Sequence, residues 1–166
     1  LARLTMRCNE FVDVPESISH LQCLRMLNMR CNNVSHVPAA IGECTALRVL
    51  ILRYNLISQL PEEVGKLTDL RELDVYDNRL HDLPAALGSL TNLTELIIKE
   101  NPLHPQLLRA TRRGAQGILA YVRMQAKSGP SPLERLPSRW GLGTPVSPAA
   151  EGGAGQQVDL SAMLLP

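Results

Sequence analysis

Aromatic residues are scarce in this sequence. One Trp, three Tyr and one Phe make up 3% of 166 residues, so a core of packed rings is excluded and burial must come from aliphatic side chains. Cysteine is sparse as well. Cys8, Cys23, Cys31 and Cys44 contain no CxxC pair and no Cys/His quartet at zinc spacing, which excludes a disulfide scaffold and a zinc module. Net charge is nearly absent, since 17 Lys+Arg against 16 Asp+Glu leave +1. Nucleic-acid binders normally carry a strong basic excess, so no nucleic-acid partner is expected. No apolar run reaches the roughly 18–20 residues of a membrane span, and no signal-peptide pattern opens the chain. GxSxG, phosphate-loop, HExxH and dinucleotide patterns are all missing. His20, His36, His81 and His104 do not cluster by position. The expectation is a protein with no catalytic residues, no cofactor and no metal.

What is abundant is leucine, 29 of 166 residues, within a chain 45% hydrophobic and 20% charged. That composition is globular, and the length suits one domain with a real core. Asn9, Asn32, Asn55, Asn78 and Asn101 fall 23 residues apart, and Pro15, Pro38, Pro61 and Pro84 keep the same period. Around the asparagines the sequence reads Leu24-x-x-Leu27-x-Met29-x-x-Asn32, Leu47-x-x-Leu50-x-Leu52-x-x-Asn55 and Leu70-x-x-Leu73-x-Val75-x-x-Asn78. Leu1-x-x-Leu4-x-Met6-x-x-Asn9 and Leu93-x-x-Leu96-x-Ile98-x-x-Asn101 complete the set. Residues 1–127 resemble the leucine-rich repeat family, in its 23-residue intracellular type. The resemblance implies an α/β solenoid, a curved parallel β-sheet with short helical or 3₁₀ segments on the convex side.

Each repeat position also has its own physical reading. Alternation in Leu27-Asn28-Met29 marks a short strand with one buried face. The asparagine amide carries both donor and acceptor, so it can bond backbone of its own and adjacent coils through the turn that follows. Proline then starts a short helical or 3₁₀ return segment, as in Pro61-Glu62-Glu63-Val64-Gly65-Lys66-Leu67. The inward columns are expected to be Phe11/Val34/Ile57/Leu80, Val14/Val37/Leu60/Leu83, Ile18/Ile41/Val64/Leu87 and Leu21/Cys44/Leu67/Leu90. Cys44 stands in for a leucine, as a buried and inert thiol. Cys8 and Cys31 share a repeat position, close enough for a disulfide or a soft metal, but read more simply as small residues at strand ends.

After Asn101 the period stops. Residues 1–104 are read as about five coils, 105–127 as a helical C-terminal cap, and 128–166 as a flexible Pro/Gly-rich tail or linker. Two helical pieces broken near Gly114 should cover the last coil with Leu107, Leu108, Ile118, Leu119 and Val122. The tail holds six of 12 prolines and six of 11 glycines. It also holds two islands that could dock a partner, around Trp140 and from Val158 onward. No matching cap precedes Leu1, which suggests a fragment with further repeats upstream.

The residues standing beside the strand leucines should face the concave surface. Arg7, Arg30 and Arg53 give way to Glu72, Asp74, Asp77, Glu95 and Glu100 along the stack, with Lys99 among the acids. Between these poles lie Met26, Val49, Ile51, Tyr54 and Tyr76. An apolar-aromatic centre flanked by charge is the composition of a protein-binding hot spot, although such charges can equally be a solvated face. The expected function is a non-catalytic scaffold or adaptor binding a protein or peptide through Arg7, Arg30, Ile51, Arg53, Tyr54, Glu72, Asp74, Tyr76, Asp77 and Lys99. It is expected to be a cytoplasmic monomer with no membrane association. Two alternatives stay open. One is the recognition arm of a larger signalling enzyme (a kinase, GTPase or ubiquitin ligase system). The other is a secreted receptor fragment, to which the sequons at Asn33 and Asn92 would belong.

Overall fold

The computed structural model describes residues 1–128. Within them the chain coils five times, each coil contributing one three-residue strand: β1 (Arg3–Thr5), β2 (Met26–Asn28), β3 (Val49–Ile51), β4 (Glu72–Asp74) and β5 (Glu95–Ile97). The strands form one parallel sheet in chain order. Its register holds the 23-residue period, so Leu4, Leu27, Leu50, Leu73 and Leu96 stack as direct partners. The short 3₁₀ turns Glu16–His20, Ala39–Glu43, Glu62–Lys66 and Ala85–Ser89 run on the opposite side, each entered from the repeat proline in an extended conformation. Proline's fixed φ and missing N–H suit that entry.

The core is a continuous aliphatic cluster between sheet and turns. Leu27, Leu50, Leu73, Ile41, Val64 and Leu87 are fully buried, as is Cys44. The Cys44 thiol sits 3.2 Å from the Ile18 carbonyl oxygen, which accepts from it, and burial, helped by the Glu43 charge, pushes its pKa up. The expected inward columns hold except in the first coil. Phe11 is 42% exposed, and Leu21 only half-buried. Among the described residues that coil has a neighbour on one side only, so its side chains are covered from one direction.

The asparagine ladder repeats with little variation. Asn55 Nδ2 donates to the carbonyls of Leu52 in its own coil (2.8 Å) and Met29 in the preceding one (3.0 Å), while its Oδ1 accepts from Val34 N–H at 3.0 Å. Asn32, Asn78 and Asn101 repeat this set in their coils. The residue before each asparagine takes a left-handed conformation: Cys8, Cys31, Tyr54, Asp77 and Glu100 have φ between 49° and 58°. For non-glycine residues that conformation costs about 1–2 kcal/mol each. The buried hydrogen bonds of the following asparagine offset it.

The repeat block ends in two helices, α1 (Pro105–Thr111) and α2 (Gly114–Ser128). Gly114 has φ +66°, the left-handed value that lets the chain reverse between them. Leu107, Ile118, Leu119 and Val122 are buried as expected, and Tyr121 joins them. Leu108 does not. It is 56% exposed, because the buried face of α1 passes through Leu107 and leaves the next residue pointing outward. Arg123 Nε donates to the Gly88 carbonyl at 2.6 Å and ties α2 to the last 3₁₀ turn. Ser128 ends α2, and the remainder of the expected tail, with Trp140 and the Val158 island, lies outside the described residues.

Candidate functional site

The strand face carries one compact polar-aromatic cluster, centred between β2, β3 and β4. Left-handed backbone at Tyr54 presents its ring beside Tyr76, with ring centroids 5.5 Å apart and the planes at 73°. An edge-to-face pair of this kind contributes about 0.5–1.5 kcal/mol beyond burial. Arg30 lies over the Tyr54 ring at 5.2 Å, and Arg53 lies 5.0 Å from Tyr54 and 5.1 Å from Tyr76. Two neighbouring guanidinium groups would repel one another in the open. Here each rests against the negative face of an aromatic ring, which relieves that cost.

Arg53 also pairs with Asp74 across β3 and β4 at 3.4 Å. Its Nε is buried with no hydrogen-bond acceptor, so the favourable contacts of the group are Asp74 and the two rings. Asp74 is only 3% exposed, and its other oxygen accepts from Tyr76 N–H at 3.0 Å. This corrects the expectation that Asp74 is open to a partner's basic group. The side chain is covered by the cluster, spent on its own backbone and on Arg53. Asn28, at the same repeat position, likewise accepts from Arg30 N–H at 3.1 Å. The signal was present in the residue types, since Asn and Asp commonly bond the backbone N–H two residues on.

The other candidate residues scatter around this centre. Ile51 is half-buried beside it in β3, whereas Arg7, Asp77 and Lys99 are exposed and make no ion pair among the described residues. Glu72 stands directly opposite Glu95 in the β4/β5 register. Burial raises the Glu72 pKa above the usual carboxylate range, and the charges of Glu95 and Asp74 raise it further. The Tyr76 hydroxyl is also raised, by burial first and then by Glu100. The charge gradient therefore persists at its ends, but its poles meet and neutralise each other at Arg53–Asp74.

Among the described residues no three His, Cys, Asp or Glu side chains gather where a metal could bind. All four cysteines are free thiols, Cys8 and Cys23 exposed. No helix among these residues is long and apolar enough to cross a membrane.

Comparison with known proteins agrees with this geometry. The model of a leucine-rich repeat region matches residues 39–111. No curated protein matches. Among solved structures, an internalin from Listeria monocytogenes is 27% identical with a TM-score of 0.55, over 63% of this chain and 30% of its own. The leucine-rich repeat ectodomain of the membrane receptor kinase GASSHO1/SCHENGEN3 from Arabidopsis thaliana was solved in complex with CASPARIAN STRIP INTEGRITY FACTOR 2. It is 33% identical with a TM-score of 0.57, over 61% of this chain and 13% of its own. The plant peptide hormone receptor RGFR1, in complex with RGF2, is 30% identical with a TM-score of 0.56, over 60% and 17%. This chain thus spans less than a third of each.

Proposed function

We propose that this chain binds a protein or peptide on its strand face and does no chemistry there, as the leucine-rich repeat fold it shares with its structural neighbours generally serves as a protein–protein interaction module. The observation that carries this reading is the Tyr54–Tyr76–Arg30–Arg53 cluster. It is half-open to solvent, held together by ring and cation–ring contacts, and built from the residue types that dominate binding hot spots. The two plant structures, each solved with a peptide or protein factor bound, support a ligand of this class. A partner would place an apolar anchor against Ile51, Tyr54 and Tyr76, acidic groups towards Arg7 and Arg30, and basic groups towards Glu72 and Asp77. Lys99 would take an acidic group at the far end. Exposed thiols at Cys8 and Cys23 favour a reducing, cytoplasmic setting, in which the chain would act as a monomeric adaptor. The string Asn101-Pro102-Leu103, followed by Arg113-Gly114 and Ile118-Leu119-Ala120-Tyr121-Val122-Arg123, resembles the end of a repeat block in leucine-rich repeat-containing protein 40.

Affinity purification from cells followed by surface plasmon resonance tests the reading. Tyr76→Ala should cost about 2 kcal/mol, mainly as faster dissociation. Arg30→Glu should slow association in a salt-dependent way. Arg30 is the suitable charge to reverse, because reversing Arg53 would strand buried Asp74. Partners that bind both variants with unchanged rates would rule out this face. A receptor-fragment reading draws on the exposure of Asn33 and Asn92. Glycan mapping at those two residues would establish or dismiss it.

A further inference from the structure

We propose that the outer seam of the α1/α2 hairpin docks an acidic amphipathic helix of a protein partner, at a second surface separate from the strand face. A groove of about 340 Å³ runs along that seam. Its first wall is Gln106, Arg109, Ala110 and Arg113, and its second is Gly117, Ala120, Tyr121 and Met124. Gly117, Ala120, Tyr121 and Met124 form one stripe of α2 at i, i+3, i+4, i+7, and Gln106, Arg109 and Ala110 one stripe of α1, with Arg113 in the turn that follows. The opposite stripes, through Leu107, Ile118, Leu119 and Val122, are buried against the repeats. The hairpin therefore has a covered inner side and an open outer furrow.

Small residues make the furrow. A Cβ on Gly117 would run into the Arg113 side chain and come within 2.7 Å of the Ala110 carbonyl oxygen, so the glycine lets the two walls meet closely. Tyr121, buried with its hydroxyl accepting from Gln125 at 2.7 Å, lines the furrow with an aromatic ring. A furrow between two packed helices is the shape that the ridge of a third helix fills.

Charge selects the occupant. Residues 105–128 contain Arg109, Arg112, Arg113, Arg123 and Lys127 and no Asp or Glu, whereas residues 1–104 carry three more acids than bases. Near-zero net charge conceals this split. Among the described residues both ion pairs, Arg53–Asp74 and Lys66–Glu43, lie in the repeats, so none of the five cap cations is paired with a carboxylate. Arg109 and Arg113 stand exposed at the furrow itself. A second copy of this chain would bring the same cations to the same rim and be repelled. An anionic bilayer would reach the rim cations and Met124, which projects at 56% exposure, but not the buried Tyr121 ring that lines the furrow. An acidic helix with one apolar stripe satisfies both the furrow and its rim.

The test uses the full chain and a fluorescein-labelled synthetic peptide of about 14 residues, roughly four helical turns, with leucines on one face and glutamates on its flanks. Fluorescence anisotropy should show saturable binding that weakens as salt is raised. Arg109→Glu with Arg113→Glu should weaken it at least about tenfold, and Ala120→Trp, at an exposed position, should block it sterically. Tyr76→Ala should leave it unchanged, which separates this surface from the strand face. Circular dichroism would confirm that each variant keeps the wild-type fold. A scrambled peptide of the same composition binding equally well would overturn the proposal, as would indifference to the furrow substitutions. So would binding to phosphatidylserine vesicles with none to the peptide, which would make the cap a membrane contact.

Discussion

Asn55 satisfies three backbone groups that are otherwise shut away from water. Its replacement by alanine should lower unfolding free energy by about 1–3 kcal/mol, because the buried N–H of Val34 loses its partner and the carbonyls of Met29 and Leu52 are left with only the amides of Asn32 and Asn78. Guanidinium melts would show this as a lower midpoint, and an unchanged midpoint would remove the ladder from the account of stability. Asn9 is the internal control. It is exposed and keeps only a bond to the Arg7 carbonyl at 3.0 Å, so Asn9→Ala should cost much less. Glu72 makes the pH-dependent case. The folded state holds its proton more tightly than the unfolded chain does, through burial first and then the charges of Glu95 and Asp74. Its contribution is therefore most favourable below the ordinary carboxylate range and is lost as pH rises through the elevated folded value. Glu72→Gln should stabilise the protein at neutral pH, and the gain should shrink as the medium is acidified below the ordinary carboxylate pKa. A gain independent of pH would show that the carboxylate repulsion is not its source. The asparagines could be assigned to structure from sequence, since a 23-residue period admits little else. The closure of Asp74 could not, because it depends on how Arg53 and Tyr76 fold over it from the neighbouring coil and its own.

From the second 3₁₀ turn onward, close approach to the next element is made at a column that carries no side chain, whereas the first turn has Ser19 at that position. Gly42, Gly65 and Gly88 follow one another at the repeat period. A Cβ on Gly65 would lie 2.7 Å from the Ala86 carbonyl oxygen, one on Gly42 2.7 Å from that of Glu63, and one on Gly88 2.8 Å from Arg123 Cγ. Gly65→Ala should therefore destabilise by about 1–3 kcal/mol, since backbone must give way. A thermal melt compares it with Gly117→Ala, where the clash lies within the cap hairpin and should loosen α1 from α2. If Gly65→Ala melts at the wild-type temperature, the turns are not in the close contact seen here. The column was visible in the sequence, but its purpose was not. Periodic glycine can signal a turn or a close approach, and the prolines and leucines around it already explain a turn. Only the facing residue of the next coil, Ala86 or Glu63, distinguishes the two.

At the scale of the molecule, α1 and α2 close an open end. A chain ending at Asn101 should expose the core around Leu87, Leu90 and Ile98 and aggregate, whereas one ending at Lys127 should stay monomeric. Static light scattering on both separates these outcomes, and a monomeric shorter chain would show that the helices are not a cap. The hairpin, its break at Gly114 and most of its buried residues were readable in advance, because a broken period and an apolar stripe are local signals. The furrow on its far side was not. Summing charge over the whole chain cancels the basic cap against the acidic repeats, and only the placement of Arg109 and Arg113 along one seam reveals it.

The asparagine bonds all point one way. The amides of Asn32, Asn55, Asn78 and Asn101 each reach back to the coil before them, and none reaches forward to the coil after it. During synthesis, a newly emerging coil would find every partner of its asparagine already outside the ribosome, in chain made moments earlier. No amide has to wait for sequence still to be translated. The amide latch of a coil can therefore close as soon as that coil has emerged, while its strand N–H groups, such as those of Met29 and Cys31, wait for the carbonyls of the coil that follows.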